Sequence, residues 1–201
     1  MRVGMILVLT LVLVSLGGLA CADECNSARY VYNNNGTTTD CRTGLIWLNN
    51  TNCLNDFNGV DKSSGVGYLT WYDAMKWVAG LQDTGDTNTG CGLSDGSYAG
   101  DWRLPTKTEL MAMLESAKKQ GLINPSLTNG AGTANWSAGQ PFANVQSSGY
   151  WSSTTYPGDA YIAWVVSLWN GGSFGYGKTG GSFVWPVRGG QSGSFGSLII
   201  E

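Results

Sequence analysis

Four cysteines that follow a hydrophobic N-terminal segment limit the ways in which this chain can fold. Arg2 precedes an unbroken uncharged run from Val3 to Ala20, which is typical of a signal peptide and predicts export. In an oxidising compartment, an even number of cysteines predicts two disulfides. The sequence leaves three pairings open. We favour Cys25 with Cys41 and Cys53 with Cys91, because each bridge then closes one contiguous stretch of chain.

The export signal is predicted to cover residues 1–22, with cleavage after Ala22, because the small residues Ala20 and Ala22 fit the A-x-A rule. Two alternatives stay open. Cys21 becomes lipidated, or the uncharged run, which is just long enough to span a membrane, remains as an anchor. All three predict an extracellular, periplasmic or outer-membrane-associated protein that contacts the membrane only through this segment or a lipid on Cys21.

The remaining chain is long enough for a single domain over residues 23–190, followed by a Gly/Ser-rich tail over residues 191–201. The net charge of the chain is −3, and loss of Arg2 makes it one unit more negative. No block of basic residues indicates binding to nucleic acid or to an anionic membrane surface. Charged residues make up only 12% of the chain, which predicts a neutral polar surface.

Short strands are predicted before the first helix. Residues 30–32 and 37–39 flank an Asn/Gly turn and form a hairpin pattern, and residues 45–48 form a third strand. Residues 49–67 are rich in Asn, Asp, Ser and Gly, which predicts a loop tethered by Cys53.

Two amphipathic helices are predicted in the middle of the chain. Each begins with a capping-box pattern, Thr70 with Asp73 and Thr106 with Glu109. Helically spaced apolar residues follow each cap. They are Trp71, Ala74, Met75, Val78 and Leu81 in the first helix, and Leu110, Met113, Leu114 and Ala117 in the second.

The C-terminal part carries strand patterns over residues 150–154, 160–169, 172–178 and 182–187. The segment 160–169 is apolar on both faces, which predicts a central strand. With the terminal strands joined in one antiparallel sheet and two helices between them, the predicted class is α+β, stapled by disulfides.

Four phrases in this order resemble a known bacterial family. They are Thr43-Gly44-Leu45-Ile46-Trp47, Gly100-Asp101-Trp102-Arg103-Leu104-Pro105-Thr106 with Glu109-Leu110, Tyr150-Trp151-Ser152-Ser153-Thr154, and Val184-Trp185-Pro186-Val187-Arg188-Gly189-Gly190. Over roughly residues 28–191, the chain is similar to the family first described as domain of unknown function 1566 and later named for the C-terminal domain of Lcl, a collagen-like adhesin. The resemblance implies a C-type-lectin-like fold, related in architecture to retroelement variable proteins and formylglycine-generating enzymes. The best-studied members are surface adhesins for acidic glycans.

The residues of these motifs are interpreted mainly as scaffold. Pro105 stops a strand, Thr106 caps the helix with Glu109, and Trp102 and Leu104 are predicted core residues. Arg103 is expected to bind loop carbonyls or a carboxylate such as Asp101. Trp151 is expected on one buried face of its strand, and Arg188 is expected to pair with an acid when the last strand docks.

The sequence shows few of the residues and patterns that catalysis requires. The chain has no His, its cysteines are expected to be oxidised, and it shows neither a G-x-S-x-G pattern nor a pair of carboxylates at catalytic spacing. The cysteines that formylglycine-generating enzymes carry late in the chain are absent after Cys91. We therefore expect a protein that is not an enzyme and has no cofactor.

A calcium or other metal site is not expected. Trp169-Asn170-Gly171 stands where lectins of this type often have Trp-Asn-Asp, and Gln140-Pro141 is not followed by an acid. Asp83, Asp86 and Asn88 form a polar loop that is interpreted as a solvated turn.

The late hairpins carry the best candidate ligand surface. Aromatic rings there can stack on sugar faces or protein surfaces, while amide and ammonium groups fix orientation. The candidates are Tyr156, Asp159, Trp169, Asn170, Phe174, Tyr176 and Lys178. The expected function is adhesin-like binding of an extracellular glycan or surface protein, with acidic glycans disfavoured by the negative charge. The alternatives are an envelope interaction module or a retroelement-diversified binding protein, and no feature of the sequence indicates an oligomeric state.

Overall fold

The computed structural model describes residues 25–53, 67–85, 91–139 and 141–189. The predicted signal segment 1–22, Cys21, the tail 191–201, Asp86 and Asn88 lie outside these ranges. No helix within them is long and apolar enough to cross a membrane.

The first sheet joins both ends of the described chain, as the sequence predicted. It contains β1 (Tyr30–Tyr32), β2 (Thr37–Asp40), β3 (Leu45–Leu48) and β9 (Val187–Arg188), in the order β1-β2-β3-β9 and antiparallel throughout. The β1–β2 turn needs Gly36, whose φ is +82° and where any Cβ would overlap the carbonyl oxygen of Gly92.

A second, five-stranded sheet corrects the expectation of one antiparallel sheet. It contains β4 (Tyr68–Leu69), β5 (Gly149–Thr155), β6 (Ile162–Ser167), β7 (Ser173–Gly177) and β8 (Ser182–Phe183), in the order β4-β8-β5-β6-β7. The β5–β8 pair is parallel. The predicted strand over 182–187 is split between the two sheets, because the chain leaves one sheet after Phe183 and the carbonyl of Pro186 already accepts a hydrogen bond from the Leu48 N–H.

The two helices are α1 (Trp71–Gly80) and α2 (Lys107–Lys119). In α2 the capping box is complete, since Thr106 accepts from the Glu109 N–H and the Glu109 carboxylate accepts from the Thr106 N–H. In α1 only half of the predicted box forms. The Thr70 hydroxyl accepts from the Asp73 N–H, but the Asp73 carboxylate accepts a 2.6 Å hydrogen bond from the Thr70 hydroxyl instead of from the Thr70 N–H.

The interior strands β5 and β6 of the five-stranded sheet are covered on both faces. Adjacent residues of β5 belong to different core clusters, Tyr150 to the one that α2 joins through Leu110, Met113 and Leu114, and Trp151 to the one that α1 joins through Ala74 and Val78. Strand β6 shows the same division, with Val166 on the first side and Val165 on the second. The prediction that this strand is covered on both faces is confirmed.

Both disulfides have the predicted pairing. Cys25 is bonded to Cys41 and Cys53 to Cys91, with Cα atoms 5.3 Å and 5.4 Å apart. Two disulfides indicate an oxidising, non-cytoplasmic environment.

A buried ion pair fastens the first sheet to α2. The Arg29 guanidinium donates two hydrogen bonds to the Asp40 carboxylate, at 2.7 Å and 2.9 Å, and both side chains are almost fully buried. Arg29 also donates to the Ala112 carbonyl and the Ser116 hydroxyl of α2. Two further N–H groups of the guanidinium are therefore bonded to the helix, and such hydrogen bonds offset the cost of burying a charge.

The residues of the family motifs have structural contacts, and the carboxylate partner of Arg103 differs from the one suggested by the sequence. Trp102 and Leu104 are buried as predicted, but Arg103 binds Glu109 at 2.6 Å and 2.8 Å rather than Asp101. Asp101 instead accepts from the Tyr98 N–H, because its short side chain caps its own loop.

Arg188 finds the acid that was expected. Its guanidinium lies 2.9 Å from the fully buried carboxylate of Asp95, which also accepts from the Ser97 N–H and hydroxyl. The Ser97 hydroxyl in turn accepts from the Trp102 indole. This chain of contacts holds the loop after Cys91 against β9.

Removing one partner of the buried pair should be costly. We expect Asp40→Asn to lower the free energy of unfolding by about 3 to 5 kcal/mol, because Arg29 is left buried without a counter-charge. Glu115→Gln, in the solvent-exposed pairs with Arg42 and Lys119, should cost much less, because water and salt screen these charges. Urea unfolding of both variants tests this, and equal losses would contradict it.

Acid should weaken the Arg103–Glu109 contact. Burial raises the pKa of Glu109. Its contacts with Arg103 and with the N–H of Thr106 lower the pKa by more, so the net shift is downward. A lowered pKa gives stability that is present above the unfolded value of about 4.3 and is lost as pH falls through the folded value. Glu109→Gln keeps the cap and loses the charge. Compared with wild type, this variant should have a lower free energy of unfolding at pH 7 and an equal one in strong acid. A difference that does not depend on pH would refute this.

Candidate functional site

The seven predicted ligand residues do not form one site. The structure places them in three regions around β5, β6 and β7. Phe174 and Tyr176 lie on one face of the sheet. Tyr156 and Asp159 lie in the connection between β5 and β6. Trp169 and Asn170 lie in the β6–β7 turn. Lys178 follows β7 but is buried.

Phe174 and Tyr176 form a surface that we call the aromatic platform. Both rings project from β7 on the same face of the sheet as α1. Their partners on β6, Val165 and Ala163, belong to the core cluster that contains α1. The rings meet edge to face, with centroids 6.4 Å apart. They are 47% and 42% exposed, so each offers about half of its surface to a ligand.

The platform has a rigid support. The Tyr176 ring stacks on Trp151 at 5.7 Å between centroids, and Trp151 is fully buried. The Trp151 indole donates a 2.8 Å hydrogen bond to the carbonyl of Leu69 in β4. The orientation of Tyr176 therefore follows from the packing of the interior.

Gly180 leaves the space that the Tyr176 ring occupies. A Cβ at Gly180 would lie 2.6 Å from Cε1 of Tyr176, closer than real side chains approach. A Cβ at Gly149 would crowd Val165, at 2.6 Å, and would only touch the far end of the Phe174 ring, at 3.7 Å.

Lys178 is not available to orient a ligand, which corrects its place among the candidates. Its ammonium donates to the Thr155 hydroxyl at 3.0 Å and lies 4.1 Å from the centroid of the Trp71 ring. Only 6% of the residue is exposed. The side chain turns inward because Thr155 and Trp71 provide a hydrogen-bond acceptor and an aromatic face for its charge.

Tyr156 lies on the opposite face of the sheet from the platform. Its ring packs against Trp164 with centroids 4.7 Å apart and covers Gly175 of β7. The ammonium of Lys107 lies 3.1 Å from the centroid of Trp164. Asp159 accepts from the Tyr161 N–H and so shapes the turn.

Trp169 and Asn170 occupy the other end of the β6–β7 hairpin, roughly 20 Å from the β5–β6 turn by the rise of a six-residue strand. Trp169 is 52% exposed, and its carbonyl accepts from the Asn124 N–H. Asn170 caps the turn by accepting from the Gly172 N–H.

One exposed ring was missed by the sequence analysis. Tyr161, 79% exposed, was assigned to a covered strand but precedes β6 and points into solvent. The turn residues Pro157-Gly158 before it were the signal that the strand begins later.

The described groups with shifted pKa values have structural partners. Burial raises the pKa of Tyr150 to about 12, while its hydroxyl contacts Thr51 and accepts from the Gln146 N–H. The N–H groups of Gly96 and Gly85 lower the pKa of Asp83, which ties two loops together. Among the residues that the structure describes, no three His, Cys, Asp or Glu side chains stand close enough to hold a metal.

Comparison with known proteins places these features in a family. The family model described as the Lcl C-terminal domain matches residues 36–188. The match includes β2 to β9, both helices and the aromatic platform. A search of curated proteins finds no match.

A methyl group at Gly180 should displace Tyr176 without unfolding the protein. We expect Gly180→Ala to change the near-ultraviolet circular dichroism from the Tyr176–Trp151 stack, with a stability loss of less than about 1 kcal/mol, because the ring can swing toward solvent. Gly177→Ala, whose Cβ meets open space, is the matched control. Identical spectra for the two variants would show that the ring is not held at Gly180.

Proposed function

We propose that this chain, which belongs to the Lcl C-terminal domain family, is an exported ligand-binding domain that recognises an extracellular glycan or surface protein through its aromatic platform. We propose binding without catalysis. The observation that carries this proposal is the pair of half-exposed rings, with Tyr176 stacked on buried Trp151 and Phe174 edge to face with Tyr176.

The energetics favour a ligand over a purely structural role. Fully burying one such side chain contributes about 1.5 to 3 kcal/mol, and each platform ring has left about half of its surface in water. The Trp151 stack already restricts Tyr176, so little side-chain entropy is lost when a ligand covers it. A fixed aromatic face is the kind of surface that stacks on a sugar ring or a flat protein patch.

Local charge points toward a neutral ligand. Lys178, the basic residue nearest in sequence to the platform, turns inward to Thr155 and Trp71. The whole chain is acidic, with a net charge of −3. A sulfated or carboxylated polymer would therefore be repelled, whereas an uncharged sugar face or peptide would not.

We also propose that the fold is C-type-lectin-like. This is supported by the pairing of the first three strands with the last, by two helices that pack on opposite faces of a second sheet, and by the two disulfides. The same disulfides support the proposal that residues 1–22 direct export.

Removal of both platform rings should abolish recognition. The exported chain with its disulfides formed would be screened against arrayed glycans and extracellular-matrix proteins, with and without calcium. We expect Phe174→Ala with Tyr176→Ala to weaken the binding of a retained ligand at least about ten-fold, since each ring contributes about 0.5 to 1.5 kcal/mol beyond its area. Calcium should have no effect.

The controls separate the three regions. Tyr98→Ala removes a ring that is 76% exposed and lies outside the platform, and it should leave binding unchanged. Trp169→Ala and Tyr156→Ala test the other two regions. Loss of binding in either one, with full binding by the platform variant, would move the site there and overturn the proposal.

A further inference from the structure

Strand β7 is the last described strand of the five-stranded sheet. It pairs with β6 on one side, and no described strand pairs with it on the other. Residues Phe174 to Gly177 are all exposed. The strand reads Ser-Phe-Gly-Tyr-Gly, without a charge, a proline or a bulge in its pairing with β6. These are the devices that usually protect an edge strand from pairing with another chain.

The hydrogen bonds at the two ends of the β6–β7 ladder define which backbone groups face outward. The Lys178 N–H donates to the Tyr161 carbonyl, and the Ser167 N–H donates to the Gly172 carbonyl. Because hydrogen-bonded and non-hydrogen-bonded pairs alternate in an antiparallel ladder, residues 172, 174, 176 and 178 point their backbone groups at β6. The N–H groups of Ser173, Gly175 and Gly177 therefore face away from the sheet.

We propose that this edge pairs antiparallel with β7 of a second copy of the chain, about a two-fold axis at Gly175. A row of outward N–H and C=O groups at strand spacing is matched by an extended polypeptide and not by a sugar. In the two-fold register, Gly175 faces Gly175 of the second copy and Ser173 faces Gly177. No charged residues are brought opposite each other, so the edge does not repel its own copy.

The same register matches the side chains. Phe174 of one copy stands opposite Tyr176 of the other, on the platform face of both sheets. Aromatic cross-strand pairs contribute about 0.2 to 1 kcal/mol each, and the two-fold axis forms two of them. On the other face, Gly175 and Gly177 have no side chains of their own, and the Tyr156 ring of each copy lies over its own Gly175.

The proposed contact between the two β7 strands is small. Five-residue strands and four half-exposed rings bury much less than the roughly 1,600 Å² of a standard interface. The dimer is therefore weak and depends on concentration in solution. If the proposed function holds, dimerisation joins two platforms into one surface of four rings and gives avidity for a repeating ligand.

Gly177 provides a matched pair of variants. A Cβ there meets open space, so Gly177→Ala keeps the outward N–H without a clash. Gly177→Pro removes that N–H, which makes no bond to β6, and so deletes one donor from the edge. Sedimentation over a concentration series, without any ligand, measures the dissociation constant. We expect wild type and Gly177→Ala to dimerise alike and Gly177→Pro to dimerise at least about ten-fold more weakly.

Amide hydrogen exchange gives a second readout on the unsubstituted chain. The N–H groups of Ser173, Gly175 and Gly177 should exchange more slowly as concentration rises. A chain that stays monomeric at millimolar concentration, a dimer that Gly177→Pro leaves intact, or protection that appears elsewhere would each overturn the proposal. Because no ligand is present, these outcomes are independent of the platform test, which is run at concentrations where the chain is monomeric.

Discussion

The indole of Trp151 connects the interior of this protein to its most distinctive surface. Its N–H is bonded to the carbonyl of Leu69, its ring packs in the core cluster that α1 covers, and Tyr176 stacks on its outer side. Its neighbour Tyr150 is buried on the opposite face of the sheet. Two large aromatic residues at adjacent positions thus force β5 to be covered on both sides, and the helices supply that cover.

The parts of the fold that could be predicted are those set by local pattern. The helix caps at Thr70 and Thr106, the hairpin at residues 30–40 and the apolar positions of both helices follow from neighbouring residues. The disulfide pairing was also predicted, because each bridge closes a single stretch of chain. The parallel β5–β8 pair was not, since a two-residue strand carries no sign of its partner.

The candidate site was predicted only in part, because proximity in sequence hides the two faces of a sheet. Phe174 and Tyr176 are two residues apart and share a face, whereas Tyr156 crosses to the other face and covers Gly175. Lys178 follows Tyr176 closely, yet its charge is drawn inward by Thr155 and Trp71. The predicted set contained both platform rings, but only the strand register shows that they share a face.

Large aromatic residues and glycines alternate along strand β7. Phe174 and Tyr176 carry bulky side chains, whereas Gly175 and Gly177 carry none. Both rings are about half exposed, and only Tyr176 lies on the buried indole of Trp151. Under the proposed function, related chains would therefore change what they bind through two substitutions on one strand, while the helices, the disulfides and the buried ion pair stay as they are.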